Sequence, residues 1–156
     1  MPSGLPLGAS ASARKFKALV VDIGLWHHLS GLKTETEFQK NDLLSMYQGA
    51  MAEQFVGQEM MISQESDLYY WARQARSSTA EVDYLSVVDG LVIPIEVKSG
   101  SSGRLRSLHQ LLGSNPECPG GLVFSSGPYA ELPDHKLTFL PLYFASSATR
   151  RNTGMP

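Results

Sequence analysis

Three charged residues near the centre of the chain have the types and spacing of a metal-assisted hydrolytic site. Twelve residues separate Asp83 from Glu96, and Lys98 follows Glu96 by two positions. Carboxylate oxygens are the ligands that Mg²⁺ and Mn²⁺ prefer. A neighbouring lysine can orient a water molecule or stabilise the charge that develops on a phosphate. This chemistry requires a fold that brings the three side chains together.

A β-hairpin centred on Asp89-Gly90 is predicted to do so. Apolar, β-branched runs flank this dipeptide, which is a preferred pair for a two-residue type I′ turn. The turn fixes the register and places Asp83 opposite Glu96, and Glu81 opposite Lys98. Because side chains alternate between the two faces of a strand, all four are expected to share one face.

The facing carboxylates of this hairpin allow two interpretations. Like charges on opposed strand positions repel each other unless a cation lies between them, which favours a metal ion on Asp83 and Glu96. The alternative is a solvated face on which Glu81 and Lys98 form a surface salt bridge and the other two carboxylates face water. Pro94 bears on both, because a missing amide donor can introduce a bulge and shift the register.

A third carboxylate is expected from the helix before the hairpin. Residues 41–62 carry apolar or small side chains at helical spacing, and Glu53 interrupts this stripe. A carboxylate on a buried helix face is usually paired or bound to a metal, so Glu53 is a candidate third ligand. In the alternative, a small rotation of the helix places Glu53 at the solvent margin. Gly49 and Gly57 in the stripe would let another element approach closely.

The remaining patterns predict an α/β fold in which a mixed sheet is flanked by helices. They indicate an extended or strand segment at 15–21, a short helix at 25–29, a strand at 67–73, a polar turn at 74–79, a helix at 105–112, and strands at 122–125 and 137–144. The strand–helix–strand order implies a parallel crossover. Residues 1–13 are expected to be a flexible lead-in, 14–145 the domain, and 146–156 a polar tail.

Composition restricts the function. A net charge of −2 argues against a broad basic surface, so nucleic acid would contact a local patch. Arg104 and Arg106 are candidates for phosphate contacts, and a solvated rim is the alternative. The single Cys118 indicates a reducing, cytoplasmic location. Neither a membrane span, a signal peptide nor a Gly-Lys-Ser/Thr phosphate loop is evident, so this chain is not expected to be an ATPase of that class.

Together these residues resemble the PD-(D/E)XK nuclease-like superfamily. Asp83 and Glu96-Val97-Lys98 are similar to its D…(D/E)xK signature. The helix with Glu53 and the helix at 105–112 resemble parts of its restriction-endonuclease-like α-β-β-β-α-β core. The resemblance implies a Mg²⁺ or Mn²⁺ site at Glu53, Asp83 and Glu96, with Lys98 as a further catalytic residue. His109 or Gln110 is a loose match to a polar residue of the following helix.

More narrowly, the chain resembles the C-terminal domain of unknown function of predicted bacterial and archaeal AAA-type ATPases. Four ordered segments between about residues 15 and 144 carry this resemblance: Asp22-Ile-Gly-Leu25, Gly49-Ala-Met-Ala-Glu53, the Tyr-Tyr-Trp…Ala-Glu-Val-Asp run at 69–83, and Ile93-Pro-Ile-Glu-Val-Lys98. It implies phosphodiester hydrolysis of DNA or RNA beside an ATPase domain or partner. Because the ATPase half is missing, a fragment or truncated homologue is expected. The alternative is a non-catalytic nucleic-acid-binding or regulatory module of an ATPase.

Overall fold

Three α-helices and a six-stranded sheet make up the described part of the chain. The computed structural model describes residues 6–31, 41–63, 67–75, 78–99 and 104–148, without the side chains of 41–47, 74, 75 and 78. The helices are α1 (Ile23–Leu29), α2 (Asn41–Ser63) and α3 (Arg106–Ser114); the strands are β1 (Tyr69–Ala75), β2 (Ser78–Val88), β3 (Leu91–Val97), β4 (Gly121–Ser125), β5 (Ala130–Leu132) and β6 (Leu137–Pro141). Within these ranges, no helix has both the length and the hydrophobicity needed to cross a bilayer.

The sheet is mixed, as predicted. Its strand order is β1-β2-β3-β4-β6-β5. The first three strands form an antiparallel meander, β4 is parallel to β3 and β6, and β5 is antiparallel to β6. The chain passes from β3 to β4 through α3, which confirms the predicted parallel crossover. The β5 strand was not predicted, because its three residues are all exposed and provide no apolar run.

The hairpin turns at Asp89-Gly90 as predicted. These residues have φ values of 50° and 77°, which fit a turn with positive φ at both central positions. The antiparallel pairing runs without a shift from the Val88–Leu91 pair to the Tyr84–Ile95 pair. The predicted register is therefore confirmed over this length of the hairpin.

Pro94 leaves that register intact because its missing amide faces the other edge of β3. Amide groups alternate between the two edges of a strand. Val97 donates its amide to a group on β2, and Lys98 donates its amide to Phe124 on β4. By this alternation Pro94 faces β4, whose pairing with β3 begins only at Ile95. The ladder between β2 and β3 loses no donor.

A β-bulge lies instead on β2, at Asp83. The pairing of β1 with β2 slips by one residue between Tyr69 and Trp71, so that Asp83 and Tyr84 together oppose Tyr70. The residues on either side of this pair pack into the same apolar cluster. The alternation of side chains between the two faces of β2 is therefore broken at Asp83. The prediction that Glu81, Asp83, Glu96 and Lys98 share one face depends on this alternation, and it is not met at Asp83.

Apolar side chains fill both faces of the sheet. The cluster beside α3 contains Leu7, Val82, Leu85, Val92, Leu108, Leu111, Cys118, Val123 and Leu137. The cluster beside α2 contains Ala52, Val56, Met60, Tyr84, Ile95, Val97, Phe124 and Ala145. Leu7 belongs to a 3-10 turn, Leu7–Ser10, so the part of the lead-in that is described is anchored by a core side chain.

Residues 15–21, which we call the strap, do not form the predicted strand. Within the described residues they have no regular secondary structure and join no strand of the sheet. Gln54 of α2 accepts a hydrogen bond from the Val20 amide and donates one to the Ala18 carbonyl, each at 3.0 Å. Gln58 donates a further bond to the end of the strap. Side chains of α2 thus take the place of a neighbouring strand.

Several predicted boundaries also move. The expected polar turn at 74–79 is shorter, because β1 continues through Ala75 and β2 begins at Ser78. The apolar segment at 137–144 divides into β6 and a 3-10 turn, Leu142–Phe144. Residues 149–156 of the predicted tail lie outside the described ranges.

One of the two stripe glycines lies at a close contact. A Cβ atom at Gly57 would lie 2.5 Å from the Tyr84 hydroxyl and 2.8 Å from Leu19 Cδ2. At Gly49 the nearest such atom is Ser99 Oγ at 3.9 Å. The side chain of Met46, the first residue of the predicted stripe, lies outside the described residues. Gly57 therefore lets both the strap and β2 pack against α2.

Gly57→Ala is expected to lower the free energy of unfolding by about 1–3 kcal/mol, because the added methyl overlaps Tyr84 and Leu19. The higher helix propensity of alanine, worth about 1 kcal/mol, only partly offsets this overlap. Gly49→Ala in the same helix is the matched control, and its stability should be unchanged or slightly higher. Urea unfolding of both variants checks the prediction, and equal effects would contradict the close packing at Gly57.

Candidate functional site

Four carboxylates gather where the hairpin, α2 and the strap meet. Glu53 comes from α2, Glu81 and Asp83 come from β2, and Glu96 comes from β3. We call these four residues the carboxylate cluster. The paired strands of the hairpin and the bulge on β2 fix the backbones of the three strand residues. Their negative charges require compensation by nearby cations or hydrogen-bond donors.

The ammonium of Lys17 lies among three of them. Lys17 Nζ is 2.6 Å from Glu53 Oε1, 3.0 Å from Glu81 Oε1 and 3.6 Å from Asp83 Oδ1. It also donates to the Asp83 carbonyl at 3.4 Å. Burial favours a lower pKa for Lys17, but hydrogen bonds to Glu53 and Glu81 and the charge of Asp83 reverse that effect and raise the pKa. The side chain is therefore a charged counter-ion for the cluster.

Asp83 also continues the hairpin beyond its last backbone pair. Its Oδ2 accepts a hydrogen bond of 2.8 Å from the Val97 amide, so the carboxylate takes the place of a backbone carbonyl beside β3. Burial raises the pKa of Asp83 to about 7, and the charges of Glu96 and Glu53 act in the same direction. The Val97 bond and Lys17 oppose this rise without cancelling it. Asp83 is thus held in place although its ionised form is disfavoured.

Glu96 is the most buried carboxylate of the cluster, with 9% of its side chain exposed. Lys98 Nζ donates to Glu96 Oε1 at 2.6 Å. The other oxygen, Oε2, is buried without a hydrogen-bond partner among the described residues. Burial raises the pKa of Glu96, and Lys98 only partly opposes the rise. A buried oxygen without a hydrogen-bond partner lowers the free energy of unfolding by about 1–3 kcal/mol, and by more when the group is charged. This atom is therefore suited to an additional ligand.

Tyr84 fixes the distance between α2 and β2 at the cluster. Its hydroxyl donates a 2.8 Å hydrogen bond to the Glu53 carbonyl. Lys17 Nζ lies 5.3 Å from the centre of the Tyr84 ring and 5.5 Å from that of Tyr70. Both separations are within the range of cation–π attraction. The two rings therefore give Lys17 a second, uncharged set of contacts.

The predicted site residues form two linked groups. Glu53 and Asp83 meet at Lys17, while Glu96 pairs with Lys98. The Val97 amide connects the groups, because it lies between Glu96 and Lys98 and donates to Asp83. Glu53 has 30% of its side chain exposed and lies at the margin of the core.

The alternative of a cross-strand surface salt bridge is not what the structure shows. Glu81 pairs with Lys17, and Lys98 pairs with Glu96. Because β2 bulges at Asp83 and the strap brings Lys17 to the cluster, Glu81 pairs with Lys17 and not with Lys98 on the facing strand.

Arg104 and Arg106, the predicted phosphate contacts, are exposed at the start of α3. In the ranges that the structure covers, neither forms an ion pair with the cluster. His109 is also exposed, and its ring contacts that of His135, with centroids 5.6 Å apart. The structure therefore does not bring these residues into the carboxylate cluster.

The carboxylate oxygens of the cluster are chemically suited to a hard divalent cation. Four carboxylates face two ammonium groups, and one buried carboxylate oxygen has no partner in the described part of the chain. Oxygen donors of this type are those that Mg²⁺ and Mn²⁺ use. However, no three Asp, Glu, His or Cys side chains among the described residues are spaced to hold a metal ion. Lys17 lies where the carboxylates converge.

Sequence patterns did not identify Lys17 or Tyr84 as part of the site. Lys17 is 66 residues from Asp83, and no spacing rule connects an extended segment to a helix and a hairpin at such separations. The polar–apolar–polar order of Lys15, Phe16 and Lys17 gives no signal for Lys17, because such alternation would place Phe16 toward the core.

These features define a mixed α/β domain with a partly buried cluster of carboxylates and lysines. The sequence matches the family model described as "Domain of unknown function (DUF4143)" over residues 48–143, and the chain belongs to this family. No curated protein and no solved structure matches the sequence. The matched range contains the four carboxylates and Lys98, whereas the strap with Lys17 precedes it.

Asp83→Asn is expected to change how stability depends on pH. The raised pKa means that the folded protein holds a proton on Asp83 more tightly than the unfolded chain does. This contribution to stability is complete below about pH 4 and is lost as the pH rises through about 7. The variant should therefore gain about 1–3 kcal/mol over the wild type between about pH 4 and about pH 8.

Urea unfolding of both proteins across this pH range measures the difference. Lys17, Glu53, Glu81, Glu96 and Lys98 are common to both proteins, so the change in the difference reports Asp83 together with its charge coupling to these neighbours. A difference that stays constant with pH would contradict the assigned environment of this carboxyl.

Proposed function

We propose that this chain is a metal-dependent nuclease-like domain of the PD-(D/E)XK type, which hydrolyses phosphodiester bonds in DNA or RNA. The observation that carries the proposal is the arrangement of Glu53, Asp83, Glu96 and Lys98 around one end of the hairpin, with a buried Glu96 oxygen that lacks a partner in the described residues.

The order of elements supports this proposal. The succession α2-β1-β2-β3-α3-β4, with an antiparallel meander and a parallel fourth strand, fits a restriction-endonuclease-like α-β-β-β-α-β core. The signature residues lie on the elements that the resemblance requires. Glu53 is on the helix, Asp83 on the second strand, and Glu96 with Lys98 at the end of the third.

In the proposed reaction, Glu53, Asp83 and Glu96 would hold one or two Mg²⁺ or Mn²⁺ ions. A bound ion would polarise the phosphoryl oxygen and lower the pKa of its water. Lys98 Nζ donates a 2.6 Å hydrogen bond to Glu96 Oε1, which positions it in the site. In this reaction Lys98 orients the attacking water and stabilises the negative charge of the transition state. The Val97 amide keeps Asp83 beside β3, which limits how far the carboxylates can separate.

A cavity of about 970 Å³ borders the cluster and is suited to part of a nucleic acid. Lys17 and Tyr84 line both the cavity and the cluster, and Tyr69, Tyr70 and Trp71 form another part of the wall. Nucleic-acid bases stack on aromatic rings with little sequence preference. We therefore assign the aromatic wall of this cavity to the base next to the phosphate that is cleaved.

The proposal also includes an ATPase. The four segments that resemble C-terminal domains of predicted AAA-type ATPases support a place beside an ATPase domain or an ATPase partner. The ATP-dependent step belongs to that other domain, and this domain would act on the nucleic acid.

A second candidate is a non-catalytic regulatory or nucleic-acid-binding module of such an ATPase. The observation that favours it is Lys17, because an internal cation that neutralises the carboxylates can serve a purely structural role. Calorimetric titration with Mn²⁺ separates the candidates. Binding that disappears in Glu96→Gln supports the first, and absence of binding that depends on the carboxylates favours the second.

Cleavage assays test the nuclease directly. The full chain is incubated with single- and double-stranded DNA and RNA in the presence of Mg²⁺ or Mn²⁺. Lys98→Met is expected to lower the cleavage rate by about 100-fold or more, because charge stabilisation in the transition state is lost. Lys136→Met, a change at an exposed lysine that does not line the cavity, is the matched control and should cleave like the wild type.

Cleavage that survives in Lys98→Met would assign the activity to a contaminant or to another site. No cleavage of any substrate by the wild type, under conditions in which Mn²⁺ binds, would contradict the nuclease proposal.

A further inference from the structure

We propose that the strap is a displaceable gate: Lys17 supplies the cation of the carboxylate cluster in the closed state and leaves when a divalent cation binds there. The inference rests on the proposed metal-dependent function of this site and adds a regulatory step to it. The closed and open states differ in which cation compensates Glu53 and Asp83.

Lys17 lies where three carboxylates of the cluster converge. Its Nζ is within 3.6 Å of carboxylate oxygens of Glu53, Glu81 and Asp83. Two of these, Glu53 and Asp83, are the residues that a divalent cation would share with Glu96. An ammonium and a metal ion at the same oxygens would repel each other, so their occupancies exclude each other.

Lys17 and Lys98 together compensate only part of the negative charge of the cluster. When all four carboxylates are ionised, the two ammonium groups leave two formal negative charges. Lys17 forms no ion pair with Glu96 in the described structure, and Glu96 Oε2 is buried without a hydrogen-bond partner there. A divalent cation that also contacts Glu96 would satisfy an atom that Lys17 does not reach.

The strap joins no strand ladder, and apart from Lys17 its contact with the core beside α2 is made by the partly buried Leu19. Two of its apolar side chains, Phe16 and Val21, are 83% and 87% exposed. Its polar attachments to α2 are made by the side chains of Gln54 and Gln58 and not by a strand ladder. Segments with few buried apolar contacts and side-chain hydrogen bonds open at low free energy. Release of the strap would leave the strand ladders intact and would remove Leu19 from its packing against the core beside α2.

The gate makes a quantitative prediction for metal affinity. When only a fraction of the molecules is competent to bind, the apparent dissociation constant rises by the inverse of that fraction. Lys17→Met keeps the length and the apolar stem of the side chain but removes its charge. If the strap is closed in about nine molecules of ten, this variant should bind Mn²⁺ up to about tenfold more tightly than the wild type.

Calorimetric titration of Mn²⁺ into the full chain measures this change. Lys15→Met is the matched control: Lys15 is exposed on the same strap and forms no ion pair in the described structure. Its affinity should stay within about twofold of the wild type. Gln54→Ala, which loosens the strap without changing a carboxylate, should tighten binding in the same direction as Lys17→Met.

Hydrogen exchange of the wild-type protein provides a readout that does not depend on any variant folding. The Val20 amide is protected by Gln54 in the closed state, so saturation with Mn²⁺ should accelerate its exchange. The Val97 amide, bonded to Asp83, should remain protected and serves as an internal reference.

Unchanged or weaker Mn²⁺ affinity in folded Lys17→Met, absence of Mn²⁺ binding, or unchanged exchange of Val20 at saturation would each overturn the gate. If Lys17→Met does not fold, the Val20 measurement decides. Tighter binding without cleavage would keep the gate and contradict the nuclease, whereas cleavage with an undisturbed strap would keep the nuclease and overturn the gate.

Discussion

The structure depends on the compensation of negative charge where α2 meets the hairpin. Four carboxylates are brought there by the backbone, and buried carboxylates are stable only when cations and hydrogen-bond donors surround them. Lys17 compensates three of them and Lys98 the fourth. The strap meets much of this need for positive charge, because it brings Lys17 to the cluster from outside the sheet.

Backbone features of β2 and β3 create the cluster. The bulge places Asp83 and Tyr84 together opposite Tyr70, and the regular hairpin pairs Tyr84 with Ile95, the residue before Glu96. There the Asp83 side chain bonds the Val97 amide, and the Tyr84 hydroxyl bonds the helix that carries Glu53. Each of these bonds joins the carboxylate cluster to a different element, so the site is assembled by the same contacts that pack α2 on the sheet.

The sequence was most informative where interactions are local. The positive φ values at Asp89-Gly90 determine the hairpin, and its register follows from the length of the turn. Helix α2 and the parallel crossover were likewise predictable from periodicity and order. The bulge at Asp83 was not, because it arises in the pairing with β1 and leaves no signal in β2 alone. Lys17 was missed for a related reason, since its partners lie on other elements far along the chain.

Two functions remain compatible with this chemistry, and both depend on Lys17 being the buried counter-ion of Glu53, Glu81 and Asp83. Side-chain ammonium groups can be observed by proton–nitrogen NMR when hydrogen bonding and burial slow their exchange with water. In the metal-free protein, the account predicts a slowly exchanging ammonium signal from Lys17, which disappears in Glu53→Gln, and rapid exchange for the exposed Lys15. Equally rapid exchange at Lys17 and Lys15 would contradict the central claim.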